Sequence, residues 1–153
     1  MLDDAHRPLA LVGRRQSSQV GASLAAAGLL PDVVLVSSAV RTRQTWELSR
    51  AALGAVDADV RIDEAVYLAG VDDLVTMLRD LADAVRTVLV VGHEPTMSRT
   101  AAALAGTGSD PAAVEQVRTG LRTGAFGVVE IDVPWRSLDA SSGRLTEVVP
   151  PAC

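Results

Sequence analysis

The 153-residue chain contains no lysine, so all 14 of its basic residues are arginine. Acidic residues outnumber them, and the formal net charge at pH 7 is −5. This acidic balance argues against a general binder of nucleic acids or anionic membranes, because both ligands attract cationic surfaces. A small anionic substrate stays compatible with it, since a local arginine pocket can form on an acidic protein. We therefore expect neither a nucleic-acid partner nor a membrane partner.

Cysteine, signal sequences and long apolar runs are also lacking. The one cysteine is the terminal Cys153, which excludes an internal disulfide and is poorly placed for a catalytic thiol. No run of 18 uninterrupted apolar residues occurs, so no membrane-spanning helix is predicted. The opening residues Met1–Asp4 have neither the basic nor the apolar stretch of a signal peptide. These absences predict a soluble, cytoplasmic protein.

Apolar residues are abundant, at 48% of the chain, and charged residues make up 22%. Such a composition is typical of a globular protein and can fill one core, and the length fits a single domain over residues 1–153. Short apolar runs alternate with longer amphipathic stretches. The alternation predicts an α/β fold, a three-layer sandwich with a mainly parallel sheet.

Periodicity and turn residues predict the individual elements. The predicted helices cover residues 10–27, 37–53, 71–85 and 96–104, with a single helical turn at 112–117. The predicted strands cover residues 32–36, 60–62 and 87–91, with a terminal antiparallel pair at 125–133 and 144–149. Side chains that cap helices are expected at Ser38 and Thr96.

Polar segments follow the two most apolar predicted strands. One strand leads into a segment with Ser38 and Arg41, and the other leads into Gly92 and His93. Because ligands bind at the carboxyl ends of parallel strands, we expect Arg41 and His93 to lie close together, beside two helix N-termini. Helix N-termini favour anions, an arginine fork matches phosphate oxygens, and a histidine can donate to a phosphoryl oxygen. The arrangement predicts a phosphate or carboxylate site.

Each candidate also has an ordinary structural interpretation. Arg41 is alternatively an exposed helix residue, and Arg7 is alternatively a salt-bridged loop residue rather than a ligand at the mouth of the site. Ser38 is interpreted as a helix cap or a ligand rather than a nucleophile, since no Gly-x-Ser-x-Gly elbow surrounds it.

The remaining polar and aromatic candidates receive structural interpretations. Glu94 is predicted to be solvated, and Trp46 and Trp135 are predicted to be packing residues. No cluster of histidine, cysteine and aspartate has the spacing of metal ligands, so no zinc site is predicted.

Several motifs follow one another in order along nearly the whole chain. They are Asp4-x-x-Arg7-Pro8-Leu9, Gly13-x-x-Gln16, Ser37-x-x-x-Arg41-x-x-Gln44-Thr45, Val91-Gly92-His93-x-Pro95, and Thr123-Gly124-Ala125 followed by Val128–Asp132 and Trp135. Together they resemble the histidine phosphatase (phosphoglycerate mutase-like) superfamily, and more closely its SixA-type phosphohistidine phosphatase branch. Each motif alone is weak, whereas their order and spacing are specific.

One feature of that family has no counterpart in this chain. The resemblance implies a nucleophilic histidine in an Arg-His-Gly or Arg-His-Ala triplet that ends the first strand, and no such triplet occurs here. The pair His6-Arg7 has the reverse order and matches the later Asp-x-x-Arg-Pro-Leu loop instead. We therefore expect that the first strand is missing, so that either the domain is N-terminally incomplete or the protein lacks the nucleophile.

The resemblance implies a phosphatase that removes a phosphoryl group from phosphohistidine through a phosphohistidine enzyme intermediate. It implies His93 and Arg41 as catalytic residues, Arg41, Arg7 and Ser38 as substrate-binding residues, and no metal or organic cofactor. The implied partner is a phosphorylated protein or a small phosphate ester. Two alternatives stay open. One is a small-molecule phosphomonoesterase on the same fold, with Glu64 as candidate general acid, and the other is a non-catalytic phosphoryl-binding module.

Overall fold

The structure is a computed structural model that describes residues 3–54 and 56–151. Within those residues the chain forms six α-helices, a parallel three-stranded sheet and a separate antiparallel pair of strands. The predicted α/β fold is confirmed. The described residues divide into two compact units. Unit 1 contains residues up to 68 together with 85–92 and 151, and unit 2 contains residues 69–84 and 93–150.

The elements follow the predicted alternation of helix and strand. The helices are α1 (Leu11–Ala26), α2 (Val40–Leu53), α3 (Glu64–Leu68), α4 (Val71–Arg79), α5 (Thr96–Leu104) and α6 (Pro111–Thr119). The strands are β1 (Val33–Ser37), β2 (Asp59–Asp63), β3 (Val88–Val91), β4 (Phe126–Ile131) and β5 (Gly143–Val149). Short 3-10 turns lie at Asp4–His6 and Trp135–Ser137. Among the helices of the described ranges, none has the length and apolar character needed to cross a membrane.

The sheet of unit 1 has the order β2-β1-β3, and both strand pairs are parallel. All five residues of the central strand β1 are buried. A continuous apolar run such as Val33–Val36 is what a strand covered on both faces requires, because neither face can carry polar side chains to water. The pairing of β1 with β3 places Val36 opposite Val91, so the carboxyl ends of the two strands are adjacent.

Helices α1 and α2 pack closely in unit 1 because one face of α1 carries small residues. Gly13, Ser17 and Gly21 are spaced by four residues, share that face and are buried. A Cβ atom on Gly21 would lie only 2.1 Å from the carbonyl oxygen of Ser49 in α2, and the Ser49 hydroxyl donates to the Ser17 carbonyl at 2.8 Å. Trp46, also in α2, is 1% exposed, which confirms it as a packing residue.

Unit 2 contains a core formed where α6 packs on β5. Ala113 and Val117 of α6 are buried against Leu145 of β5. Helix α6 spans nine residues, so the prediction of a single helical turn at 112–117 is wrong. The helix is longer because the Asp110 carboxylate caps it by accepting from the Ala113 N–H at 2.9 Å, and because Pro111 suits the first helical position.

Helix α4 is shorter than the predicted helix over 71–85, because it ends at Arg79. The N–H groups of Asp80 and Leu81 donate to carbonyls three residues earlier, at 3.2 Å each, which tightens the last turn into 3-10 geometry. Leu81 is buried although it lies outside the helix. Its apolar character continues the helical pattern in the sequence, which is why the sequence predicted a helix that extends beyond Arg79.

Candidate functional site

The carboxyl ends of β1 and β3 form one edge of the unit 1 sheet, as the sequence predicted. The chain leaves β1 after Ser37 and enters α2, and it leaves β3 at Val91 and continues into Gly92 and His93. Open α/β sheets bind ligands beyond the carboxyl ends of their strands. The convergence of the Arg41 and His93 side chains stays a prediction.

The turn between β1 and α2 is held by buried hydrogen bonds, although no side chain caps the helix. The N-cap residue is Ala39, so the prediction that Ser38 caps α2 is wrong. The hydroxyl of Ser37 accepts from the Ala39 N–H at 3.3 Å, and the Thr42 hydroxyl donates to the carbonyls of Ser37 and Ala39 at 2.9 Å each. These contacts fix the first turn of α2, which carries Arg41.

Arg41 contacts the carboxylate of Asp4, a residue that the sequence predictions included only as part of a motif. Its Nη2 atom lies 3.0 Å from Asp4 Oδ2, and its Nη1 donates to the Asp4 backbone oxygen at 2.7 Å. The Tyr67 hydroxyl donates to the same Oδ2 atom at 2.7 Å, and Arg7 Nη2 donates to Oδ1 at 3.1 Å. Asp4 therefore links two predicted substrate-binding residues, of which Arg41 has a side chain 19% exposed and Arg7 one 60% exposed.

These contacts perturb the pKa values of both Asp4 and Tyr67. The hydrogen bond from Tyr67, followed by those from Arg7 and Arg41, holds the pKa of Asp4 well below its usual range. The same bond raises the pKa of Tyr67, because ionising the phenol would remove the donor and place a second negative charge beside the carboxylate. Asp4 is therefore ionised at neutral pH, and the three charged groups together carry one net positive charge.

Replacing Tyr67 by phenylalanine is expected to raise the pKa of Asp4 toward its ordinary value of about 3.9, because the largest lowering contact is lost. In the wild type the folded-state pKa lies below the unfolded-state value. The contacts therefore stabilise the fold above the unfolded-state pKa, and this stability is lost as the pH falls through the folded-state pKa. A ¹³C NMR titration of the Asp4 carboxyl carbon measures the shift, with Arg7→Ala as a control for which a smaller rise is expected. Titration of wild-type Asp4 as an ordinary aspartate would contradict the prediction.

Glu94 is exposed, as predicted, but its carboxylate is bonded on both oxygens. Oε1 accepts from the Ser98 N–H at 2.8 Å, and Oε2 accepts from the Ser98 hydroxyl at 2.7 Å and from the Leu121 N–H at 3.1 Å. The prediction that Thr96 caps α5 is wrong, because its hydroxyl donates to the Ala69 carbonyl at 3.1 Å. Glu94 takes the place of a cap, since it satisfies an N–H group of the first turn of α5.

Three other candidates are described by their place in the fold and their exposure. Ser38 is half-buried between β1 and α2, and Glu64 is exposed at the start of α3. Trp135 is half-buried in the second 3-10 turn. Within residues 3–54 and 56–151, no three His, Cys, Asp or Glu side chains are grouped so as to hold a metal ion.

Three residues with these contacts were not predicted from the sequence as site residues: Asp4, Tyr67 and Glu94. A local signal existed for Asp4, because an acidic residue three positions before Arg7 is the spacing of a side-chain pair on a helical turn. No signal existed for Tyr67, which lies 63 residues from Asp4 in sequence, or for the contact of Glu94 with Leu121, 27 residues away.

Comparisons of sequence find relatives but no matching family model. An uncharacterized protein from Mycobacterium leprae (strain TN) is 33% identical over 142 residues, which cover 93% of this chain and 85% of that protein. An uncharacterized protein from Mycobacterium tuberculosis (strain ATCC 25618 / H37Rv) is 34% identical over 143 residues, which cover 93% of this chain and 87% of that protein.

Comparisons of structure find close neighbours. A candidate phosphohistidine phosphatase SixA from Nakamurella multipartitia matches with a TM-score of 0.87 and 30% identity, over 100% of this chain and 90% of that chain. A second candidate SixA, from Agrobacterium tumefaciens, matches with a TM-score of 0.78 and 23% identity, over 98% and 87% of the two chains. A protein histidine phosphatase SixA complexed with tungstate matches with a TM-score of 0.78 and 24% identity, over 99% and 88%. The last two share the fold of this chain.

Proposed function

This chain belongs to the SixA-type branch of the histidine phosphatase superfamily, and from that premise we propose that it removes phosphoryl groups from phosphohistidine. The observation that carries the proposal is the position of Arg41. It lies in the first turn of α2, directly beyond the carboxyl end of β1, where the helix N-terminus favours an anion. The identity with the Nakamurella protein, over the whole of this chain, supports the phosphatase class.

In the proposed reaction, a histidine nucleophile attacks the phosphorus atom and the P–N bond to the substrate imidazole breaks. Water then attacks the phosphoenzyme, which releases inorganic phosphate and regenerates the histidine. Arg41 neutralises the phosphoryl oxygens, and His93 donates a hydrogen bond to them as negative charge spreads in the transition state. Arg7 and Ser38 complete the proposed phosphoryl site. The imidazole leaving group can depart already protonated, so these steps need no separate general acid.

The nucleophile is not assigned to a histidine of this sequence. The chain has two histidines, His6 and His93, and no Arg-His-Gly or Arg-His-Ala triplet. His6 lies in the exposed 3-10 turn, with its Nδ1 atom 3.6 Å from a carboxylate oxygen of Asp3. In the proposed reaction the attack therefore falls to neither of them, but to the histidine of such a triplet.

A polypeptide of these 153 residues is expected to bind tungstate, a phosphate analogue, without releasing phosphate from a phosphohistidine peptide above the uncatalysed rate. Isothermal titration calorimetry measures the binding, and ³¹P NMR measures the turnover. The control is a longer polypeptide that includes the triplet, for which turnover is expected. Normal turnover by the 153-residue chain would contradict the assignment of the nucleophile, and absence of tungstate binding would contradict the phosphoryl site. Binding without turnover by the longer polypeptide would favour a non-catalytic phosphoryl-binding module.

A further inference from the structure

The turn that carries His93 is joined directly to the start of α5. The His93 carbonyl accepts from the Met97 N–H at 3.0 Å, and the Pro95 carbonyl accepts from the Arg99 N–H at 3.0 Å. The backbone of the turn therefore continues the hydrogen-bond ladder of the helix. Any contact that holds this turn also restricts where the His93 backbone lies.

Glu94 provides that contact, and it reaches two segments of unit 2 at once. Oε1 of Glu94 accepts from the Ser98 N–H, and Oε2 accepts from the Ser98 hydroxyl. Ser98 belongs to α5 and is 3% exposed. The second oxygen also accepts from the Leu121 N–H, just after α6. The chain reaches that position through Gly120, whose φ of +112° is a conformation that favours glycine. A Cβ on Gly120 would lie 3.5 Å from Glu94 Oε2, so the carboxylate packs against the backbone of this segment.

The carboxylate is suited to this position because all of its partners are donors. Hydrogen bonds to an ionised acceptor are stronger than neutral ones. A glutamine has one acceptor oxygen and one NH₂ donor in place of two acceptors. It can keep the link to Ser98, whose hydroxyl can turn to accept, but its NH₂ group would face the Leu121 N–H. Glu94→Gln is therefore expected to keep the contact with Ser98 and to lose the contact with the Leu121 N–H, both of which glutamate makes.

We propose that Glu94 is a positioning residue for His93, which ties the His93 turn to α5 and to the backbone of Leu121. The inference rests on the proposed function, in which His93 donates to the phosphoryl oxygens. A hydrogen-bond donor that is already held in position binds a ligand more strongly, because binding does not have to restrict its motion further. Without the two links, the backbone of the turn that carries His93 is less restricted, and we expect His93 to donate less effectively.

The test compares Glu94→Ala and Glu94→Gln with Asp110→Ala in the 153-residue polypeptide. Asp110 is a matched control because its carboxylate also satisfies an N–H group at a helix start in unit 2, at the beginning of α6. We expect the dissociation constant for tungstate to rise roughly tenfold in Glu94→Ala, which is about the effect of losing one hydrogen bond. A smaller rise is expected in Glu94→Gln. Asp110→Ala is expected to lower the melting temperature and leave tungstate affinity unchanged.

The position of His93 is measured directly by NMR with ¹³C-labelled histidine. The chain has two histidines, so a His6→Asn variant assigns the signals. We expect the imidazole signals of His93 to broaden and to change position in the two Glu94 variants and not in Asp110→Ala. A general loss of stability would not produce that selectivity.

The two measurements separate failure of this inference from failure of the proposed function. Equal tungstate affinity in wild type and Glu94→Ala, with unchanged His93 signals, would overturn the inference and leave the proposed function intact. If the wild type does not bind tungstate, the proposed function fails. In that case the His93 signals alone test the positioning role of Glu94. If the His93 signals of Glu94→Ala match those of the wild type, the positioning role is overturned. If Glu94→Ala does not fold, the same comparison is made with Glu94→Gln.

Discussion

Arg41→Ala is expected to slow single-turnover dephosphorylation of a phosphohistidine peptide by roughly 100- to 1000-fold, with a much smaller change in substrate affinity. The guanidinium matches a planar, charge-spread phosphoryl group better than the tetrahedral ground state, so its loss falls mainly on kcat. The measurement requires a polypeptide that includes an Arg-His triplet, because such a triplet supplies the proposed nucleophile. Rapid quenching and ³¹P detection of the peptide give the rate.

Two further variants control this prediction. Arg41→Lys is expected to restore little of the rate, because a point charge does not reproduce the two parallel hydrogen bonds of the guanidinium fork. Arg43→Ala removes an exposed arginine two residues further along α2 and is expected to keep the wild-type rate. If Arg41→Ala also kept the wild-type rate, Arg41 would be an ordinary helix residue and the proposed site would be wrong.

Gly21→Ala is expected to lower the free energy of unfolding by about 3 kcal/mol, the upper end for added volume in a packed core. The new Cβ would lie 2.1 Å from the Ser49 carbonyl oxygen, and 2.8 Å from both the carbonyl carbon and Cα of Ser49. These are backbone atoms of α2, so no side-chain rotation relieves the overlap and the helices must separate. Separation also weakens the hydrogen bond from Ser49 to Ser17. The gain in helix propensity from glycine to alanine, about 1 kcal/mol, does not offset these losses.

Gly13→Ala is the matched control, because it makes the same substitution on the same face of α1. Its nearest neighbour is the Leu9 Cδ2 atom at 3.1 Å, the end of a flexible side chain that can move. We expect its free energy of unfolding to lie close to that of the wild type. Urea denaturation of both variants, followed by circular dichroism, gives the comparison. Equal stabilities would show that α1 and α2 can separate at little cost.

The sequence predicted well those elements whose formation depends on neighbouring residues. The apolar run in β1 and the periodicity of α5 each identify an element, and α5 begins and ends where predicted. The predictions were poorer where one contact decides a boundary. Helix α4 ends early because the chain turns so that Leu81 is buried, and α6 is extended by the cap at Asp110. Periodicity is preserved across such positions, so it does not reveal them.

The order of the motifs, the parallel pairing and the position of Arg41 after a buried strand follow from the sequence, because each depends on local pattern and on the geometry that all parallel sheets share. Only the tertiary structure decided which groups contact Arg41 and what holds the turn of His93. Tyr67 meets Asp4 across 63 residues, and Glu94 meets Leu121 across 27. Such contacts depend on how whole helices and turns pack, and hydrogen-bonding partners so far apart leave no periodic pattern in the sequence.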